Sequence, residues 1–275
     1  MKTIDLFPLA YGKYKFDNLG SMFTRNSLSC TCCLVLILCF LSFAGKAQVK
    51  SNRILVFSKT EGGYRHASIA AGKMMFLRFG EKYKLQIDTT EDASHFNDKE
   101  LKQYSAIVFL STRGNVFDSA QQEAFVRYIH SGGGIVGIHA ATTTEYDWPW
   151  FNKLIGAYFD GHPVPQMAHY TVIDKNFPAT KNLPDTFSMK DEIYNFKSVQ
   201  DSLRYLITVD ERSYTGGKMG TFHPIAWYNL FEHGRVFYTA LGHFDAAYED
   251  PLFTEMILQG LYWAMGKQGN YFIKK

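Results

Sequence analysis

The chain has 275 residues, 46% of them apolar and 16% aromatic, which suits a globular protein of one or two domains with a substantial core. Its first 47 residues hold five Lys or Arg and two Asp or Glu, so the remainder carries 24 charges of each sign, and that balance excludes a nucleic-acid binder that works through a basic excess. All four cysteines, Cys30, Cys32, Cys33 and Cys39, fall in the same first 47 residues, so the remainder has no disulfide, thiolate nucleophile or cysteine-ligated zinc.

In chain order, Arg25 precedes the apolar run Leu34 to Phe43, and small residues follow around Ala44 and Gly45. Charge, apolar run and small residues in that order predict an export signal, cleaved after Ala47, with translation starting at Met1 or Met22. The run is short for a transmembrane helix, and no lipid-accepting cysteine follows it, so a released periplasmic or secreted domain over 48–275 is expected, without stable membrane insertion.

Beyond the signal, strands and helices alternate. Arg53 to Ser58 reads as a strand covered on both faces, followed by a helix from Ser68 to Phe79 and a strand from Tyr83 to Thr89. A short helix near Asp98 to Gln103 leads to the strand Ala106 to Leu110. Asp118 with Gln121 three residues on forms a capping signal for a helix through His130, which stops at Gly132 to Gly134 before the strand Ile135 to Ile138. This order implies right-handed crossovers and a parallel sheet with its ligand site at the carboxyl ends of the strands. The second half reads as strands at Ala168 to Ile173, Ser188 to Phe196, Tyr205 to Val209, Ile225 to Leu230 and Val236 to Leu241, then a helix from Leu252 to Met265. The glycines 132 to 134 end a helix and precede a strand, the reverse of a phosphate loop, so no nucleotide cofactor is expected there.

The segment GGGIVGIHAA, Gly132 to Ala141, runs a buried strand into a sharp turn and places His139 at its tip before a further helix. That is the geometry of a nucleophile elbow, which holds one side chain strained and exposed. It resembles class I glutamine amidotransferases, whose elbow carries cysteine. With histidine at the tip, no cysteine in the domain, and His223-Pro224 followed by no carboxylate, glutamine-directed chemistry is disfavoured.

Six segments together resemble the ThuA-like family of trehalose utilisation: GGYRHASI at 62–69, GGGIVGIHAA at 132–141, GHP at 161–163, DEIYNF at 191–196, FHPIAW at 222–227 and LGH at 241–243. The resemblance covers Arg53 to Gly266. It implies an α/β, class I glutamine amidotransferase-like (flavodoxin-like) three-layer sandwich with a mostly parallel central sheet. It also implies a role in catabolism of trehalose and related disaccharides oxidised at C3 to ketones.

Histidines carry the candidate chemistry. His66, His139, His223 and His243 each lie beside a predicted strand, and a cluster of imidazoles serves either proton transfer or metal binding. The catalytic set expected is His139, Glu192, His243 and His223; the metal set is His66, His139, His223 and His243, with zinc the first choice and His162 and His169 in reserve. No compact zinc motif is present, so such a site would be assembled from distant segments. Glu192 and Tyr194, two apart in a strand-like run, would share a face. Tyr194, Trp148, Trp227 and His66 are the substrate-contact candidates, with Trp148 read as the exposed one. His95, His130 and His233 read as surface residues.

Each has a structural alternative: His66 as a helix cap, His139 as a turn residue, His223 as a hydrogen-bonded strand end, Glu192 as a salt-bridge partner. Two functions follow. One is an exported hydrolase, lyase or isomerase acting on a keto-disaccharide by acid–base chemistry, with or without a divalent metal; the other is a non-catalytic carbohydrate-binding accessory protein. Assembly into a homo-oligomer is left open.

Overall fold

In the computed structural model, which describes residues 51–267, nine strands form one sheet. They are β1 (Arg53–Phe57), β2 (Gln86–Thr90), β3 (Ala106–Leu110), β4 (Gly134–Ile138), β5 (Gln166–Val172), β6 (Thr186–Asp191), β7 (Arg204–Val209), β8 (His223–Phe231) and β9 (Gly234–Thr239). Five helices accompany them: α1 (Ile69–Tyr83), α2 (Asp98–Leu101), α3 (Ser119–His130), α4 (Pro149–Ile155) and α5 (Pro251–Ala264). The expected export segment lies outside the described residues. Among those described, no helix is long and apolar enough to cross a membrane.

The strand order is β2-β1-β3-β4-β9-β8-β7-β5-β6. The pairings from β2 to β9 are parallel and the rest antiparallel, so only β8 and β5 run against the other strands. Strands β1, β3 and β4 lie in the parallel half and read as unbroken apolar runs because helices cover both their faces. The faces can be assigned by residue parity. Leu110 touches Gly72 of α1, whereas Phe109 packs on Phe125 of α3 and Phe151 of α4. On β4, a Cβ at Gly134 would lie 2.2 Å from the Ala264 carbonyl oxygen of α5, and one at Gly137 would lie 2.6 Å from Ile155 of α4. Helices α1 and α5 therefore form one outer layer, and α3 and α4 the other. This is the expected three-layer, amidotransferase-like sandwich. Both glycines let a helix sit directly on the central strand, and any larger residue would push it off.

Helix boundaries follow local chemistry. Asp118 and Gln121 make the predicted capping box at the start of α3. Asp250 caps α5 by accepting from the backbone N–H of Leu252 and Phe253, with Pro251 at the first helical position. The apolar face of α1, Ile69, Gly72, Met75, Phe76 and Phe79, recurs at helical spacing. That helix continues to Tyr83, past the predicted end at Phe79, and Lys84 in the left-handed region stops it. The second strand accordingly begins at Gln86 rather than Tyr83. The run DEIYNF is also not one strand: β6 ends at Asp191, and Phe196 and Lys197 pair instead with Tyr158 and Phe159. The residues between leave the sheet and line the site.

Candidate active site

The site lies where the parallel strands end. β4 finishes at Ile138, and His139 follows with φ of +53°, a conformation in which the β-carbon is crowded. The predicted strain is present. The predicted exposure is not: His139 is fully buried, beneath the rings of Tyr194 at 4.4 Å and His66 at 4.6 Å. The expected helix after it is a 3₁₀ turn, His139–Thr142, and α4 starts only at Pro149.

Around His139 the chain gathers His66 from the β1–α1 connection, Glu192 from just past β6, and His243 from just past β9. One ligand-type atom from each lies within 4.8 Å of all the others. His139 Nε2 is 3.0 Å from His66 Nε2 and 3.3 Å from Glu192 Oε2; His243 Nδ1 is 3.2 Å and His66 Nε2 3.8 Å from that same oxygen. Bonds of about 2.1 Å at tetrahedral angles separate donor atoms by about 3.4 Å, so these spacings are close to those around a bound zinc-sized ion. Glu192, not His223, completes this set, which corrects the predicted ligand list.

Orientation is supplied by hydrogen bonds beyond the cluster. His139 Nδ1–H donates to the Ala240 carbonyl at 2.7 Å, which leaves Nε2 as the lone-pair nitrogen facing the cluster, and the Tyr194 hydroxyl donates to it at 2.9 Å. Asp191, unpredicted and fully buried, accepts from the backbone N–H of Glu192, Gly242 and His243 at 2.8, 2.8 and 3.1 Å. One carboxylate thereby fixes the backbone at two of the four cluster residues. Ser68 and Tyr248 hydroxyls both donate to the Gly242 carbonyl at 3.0 Å, tying the His66 segment to the His243 loop. His66 faces the cluster through Nε2, its Nδ1 being buried with no hydrogen-bond partner, and His243 Nδ1 has only the Glu192 Oε2 contact at 3.2 Å.

Electrostatics separate the four. Burial pushes His139 down to about 4 against the pull of Glu192, so it is neutral at neutral pH. Burial would raise Glu192, but the histidines around it outweigh that and hold it far below the ordinary carboxylate range. His243 loses from burial yet is raised on balance by the Glu192 carboxylate. Burial lifts Asp191 to about 7 despite its three backbone donors. The cluster is most exposed at His243, 14%, and Glu192, 9%, and His162 Nε2 lies 3.4 Å from Glu192 Oε1. His162 thus joins the rim, while His169 faces solvent on β5, away from it.

The other candidates fall elsewhere. His223 is buried at the start of β8 with its hydrogen bonds satisfied: Nε2–H donates to the Tyr194 carbonyl at 2.7 Å, and Nδ1 meets the Tyr214 hydroxyl at 2.9 Å and Glu211 Oε1 at 2.8 Å. Burial lowers its pKa on balance, against the opposite pull of the Tyr194 carbonyl and Glu211. Its hydrogen bonds support the Tyr194 segment, so the expected catalytic and ligand roles are corrected to a positioning one. Trp227 cannot contact substrate: it is fully buried, its indole donating to the Ile155 carbonyl and its ring against Tyr238. Trp148, expected to be exposed, is half-buried and stacked on Trp150 at 4.8 Å. Tyr194, 2% exposed, holds His139 rather than offering a platform. His130 pairs with Glu232 at 2.7 Å on the surface, and His233 donates to the His130 carbonyl.

A three-layer α/β sandwich with a histidine elbow and a buried His₃Glu cluster defines the class. Residues 53–264 match the ThuA family, described as trehalose utilisation, and the chain belongs to that family. Among solved structures it is similar to a putative ThuA-like protein from Bacteroides uniformis (24% identity, TM-score 0.68, covering 81% of this chain and 95% of that one). It is also similar to one from Parabacteroides merdae (20% identity, TM-score 0.69, covering 82% and 94%). Part of a β-galactosidase from Rahnella shares the fold more distantly (14% identity, TM-score 0.51, covering 80% of this chain and 32% of that one). No curated protein matches the chain.

Proposed function

We propose that the chain is an exported enzyme of sugar catabolism that breaks down an oxidised, 3-keto disaccharide by acid–base chemistry at the His66–His139–Glu192–His243 cluster. The observation that carries this reading is the convergence of those four side chains, from four separate segments, at the open end of the sheet. Export rests on the order of charge, apolar run and small residues before Gln48. The carbohydrate class rests on membership of the trehalose-utilisation family.

A ketone at C3 acidifies the hydrogen on C2. A base takes that proton, the electron pair forms the enolate and then the C1–C2 double bond, and the C1–O bond breaks, its oxygen leaving with a proton from an acid. His139 is closed off from substrate, so Glu192, with Oε1 towards the rim beside His162, is the group positioned to act as base. His243, raised in pKa and at the rim, is the acid or the electrophile that faces the carbonyl oxygen. His66 and His139 pack against Glu192 Oε2 from the buried side. The donor set also fits a divalent cation, zinc first, which when bound would polarise the ketone as a Lewis acid.

Turnover of 3-ketotrehalose, followed by release of glucose, tests the assignment. The wild type should turn it over, and Glu192→Gln and His243→Ala should each lose most of the rate. Full activity in both variants would contradict these roles, and a wild type that binds the sugar without turnover would favour the accessory-protein reading.

A further inference from the structure

Beside His243 the surface opens into a cavity of about 690 Å³, within the usual range for small-molecule sites. Its walls are Tyr64, Met167 and Phe244, with Lys190, Asp245 and His243 among the polar lining. Tyr64 is 58% and Met167 54% exposed, unusual for residues so apolar. Both aromatic rings are joined to the cluster: Tyr64 stands edge-on to His66 at 4.9 Å, and Phe244 edge-on to His243 at 4.6 Å. Lys190 Nζ lies 5.4 Å from the Phe244 ring centroid and has no ion pair among the described residues. The tryptophans singled out by sequence are not in this lining.

We infer that this cavity is the substrate site, and that it takes a neutral, polyhydroxylated ring pair with Tyr64 and Phe244 against the apolar C–H faces of the sugar. The mixture of lining groups selects the class. A sugar hydroxyl both donates and accepts, so it needs an acceptor such as Asp245 and a donor such as Lys190 side by side. An anionic ligand would meet Asp245 and Asp250, and a purely apolar one would strip water from Lys190 with nothing in return. The cavity reaches the cluster at His243, so one end of the ligand would lie against that residue. This assignment rests on the carbohydrate reading above and adds where the sugar sits and which residues set its specificity.

Calorimetric titration of the full chain with trehalose and with 3-ketotrehalose tests it. Tyr64→Ala and Phe244→Ala should each weaken binding about ten-fold, with Trp148→Ala unchanged. Metal content should stay at the wild-type level in all three. If the wild type binds sugar and both cavity variants bind as tightly, the cavity is the wrong site while the carbohydrate reading survives. If the wild type binds neither sugar, both fall. Tyr64 is exposed, so its variant keeps the test decisive even if Phe244→Ala does not fold.

Discussion

Two buried groupings of histidine and carboxylate lie on either side of Tyr194, and they differ in what they leave unfinished. Around His223, each ring nitrogen has a partner, Glu211 also accepts from the Met219 N–H at 2.7 Å, and nothing points to a common empty position. Around His139, three imidazoles and Glu192 aim at one another within 4.8 Å, and the buried His66 Nδ1 lacks any hydrogen bond. Burial of a polar group costs free energy unless it is paired. The first grouping recovers that cost within the fold, whereas the second does not. Satisfied histidine marks scaffold here, and unsatisfied, convergent histidine marks the place where a proton, an ion or a substrate completes the set.

The comparison breaks most visibly at His139. His139→Ala should lower turnover of 3-ketotrehalose by about 10³-fold, because it removes the central member of the cluster that Glu192 packs against. Glu192→Gln should follow, at about 10³-fold, with the fold unchanged by circular dichroism. A third expectation concerns pH in the metal-free protein. His139 titrates near 4 when folded and at 6.5 when unfolded. The unfolded chain therefore takes up a proton first on acidification. The contribution is full above pH 6.5 and is lost as pH falls towards 4, on the order of 3 kcal/mol in all, and His139→Gln should lack that limb in thermal melts. At the scaffold grouping the pattern should invert: His223→Ala should cost about 2 kcal/mol in urea denaturation by orphaning Glu211 and Tyr214, yet change turnover less than about ten-fold. Comparable loss of activity from His223→Ala and His139→Ala would erase the distinction. The smallest effect, under about two-fold in turnover, is expected for Trp148→Ala, whose ring packs on Trp150 and Phe151.

Much of this was legible before any coordinates. Strands β1, β3 and β4 announce themselves as unbroken apolar runs because both faces are covered, and Asp118 with Gln121 marks a helix start by its own hydrogen bonds. His139 and His243 could be named because each follows an apolar strand, His66 because it lies between the first strand and a helix, and Glu192 because it sits in a strand-like run with Tyr194. What periodicity could not supply was direction. Glu192 and Tyr194 were placed on one face of a strand, but β6 stops at Asp191, and the two reach the site from irregular backbone. Trp227 looks like a platform in sequence, yet its indole is spent on the Ile155 carbonyl inside the core. Asp191 stood beside Glu192 in an acidic pair, and only tertiary contact shows that its partners are backbone groups fifty residues away. Tyr64 and Phe244 carry no pattern of their own; their adjacency to His66 and His243 was the available clue.

The most direct test of the central claim is elemental analysis of the chain purified without a histidine tag, alongside His139→Ala and His223→Ala. The account predicts one divalent ion per chain in the wild type after reconstitution, lost in His139→Ala and retained in His223→Ala. Retention in His139→Ala, or no uptake by the wild type at all, would contradict the reading of the cluster as a metal-holding centre.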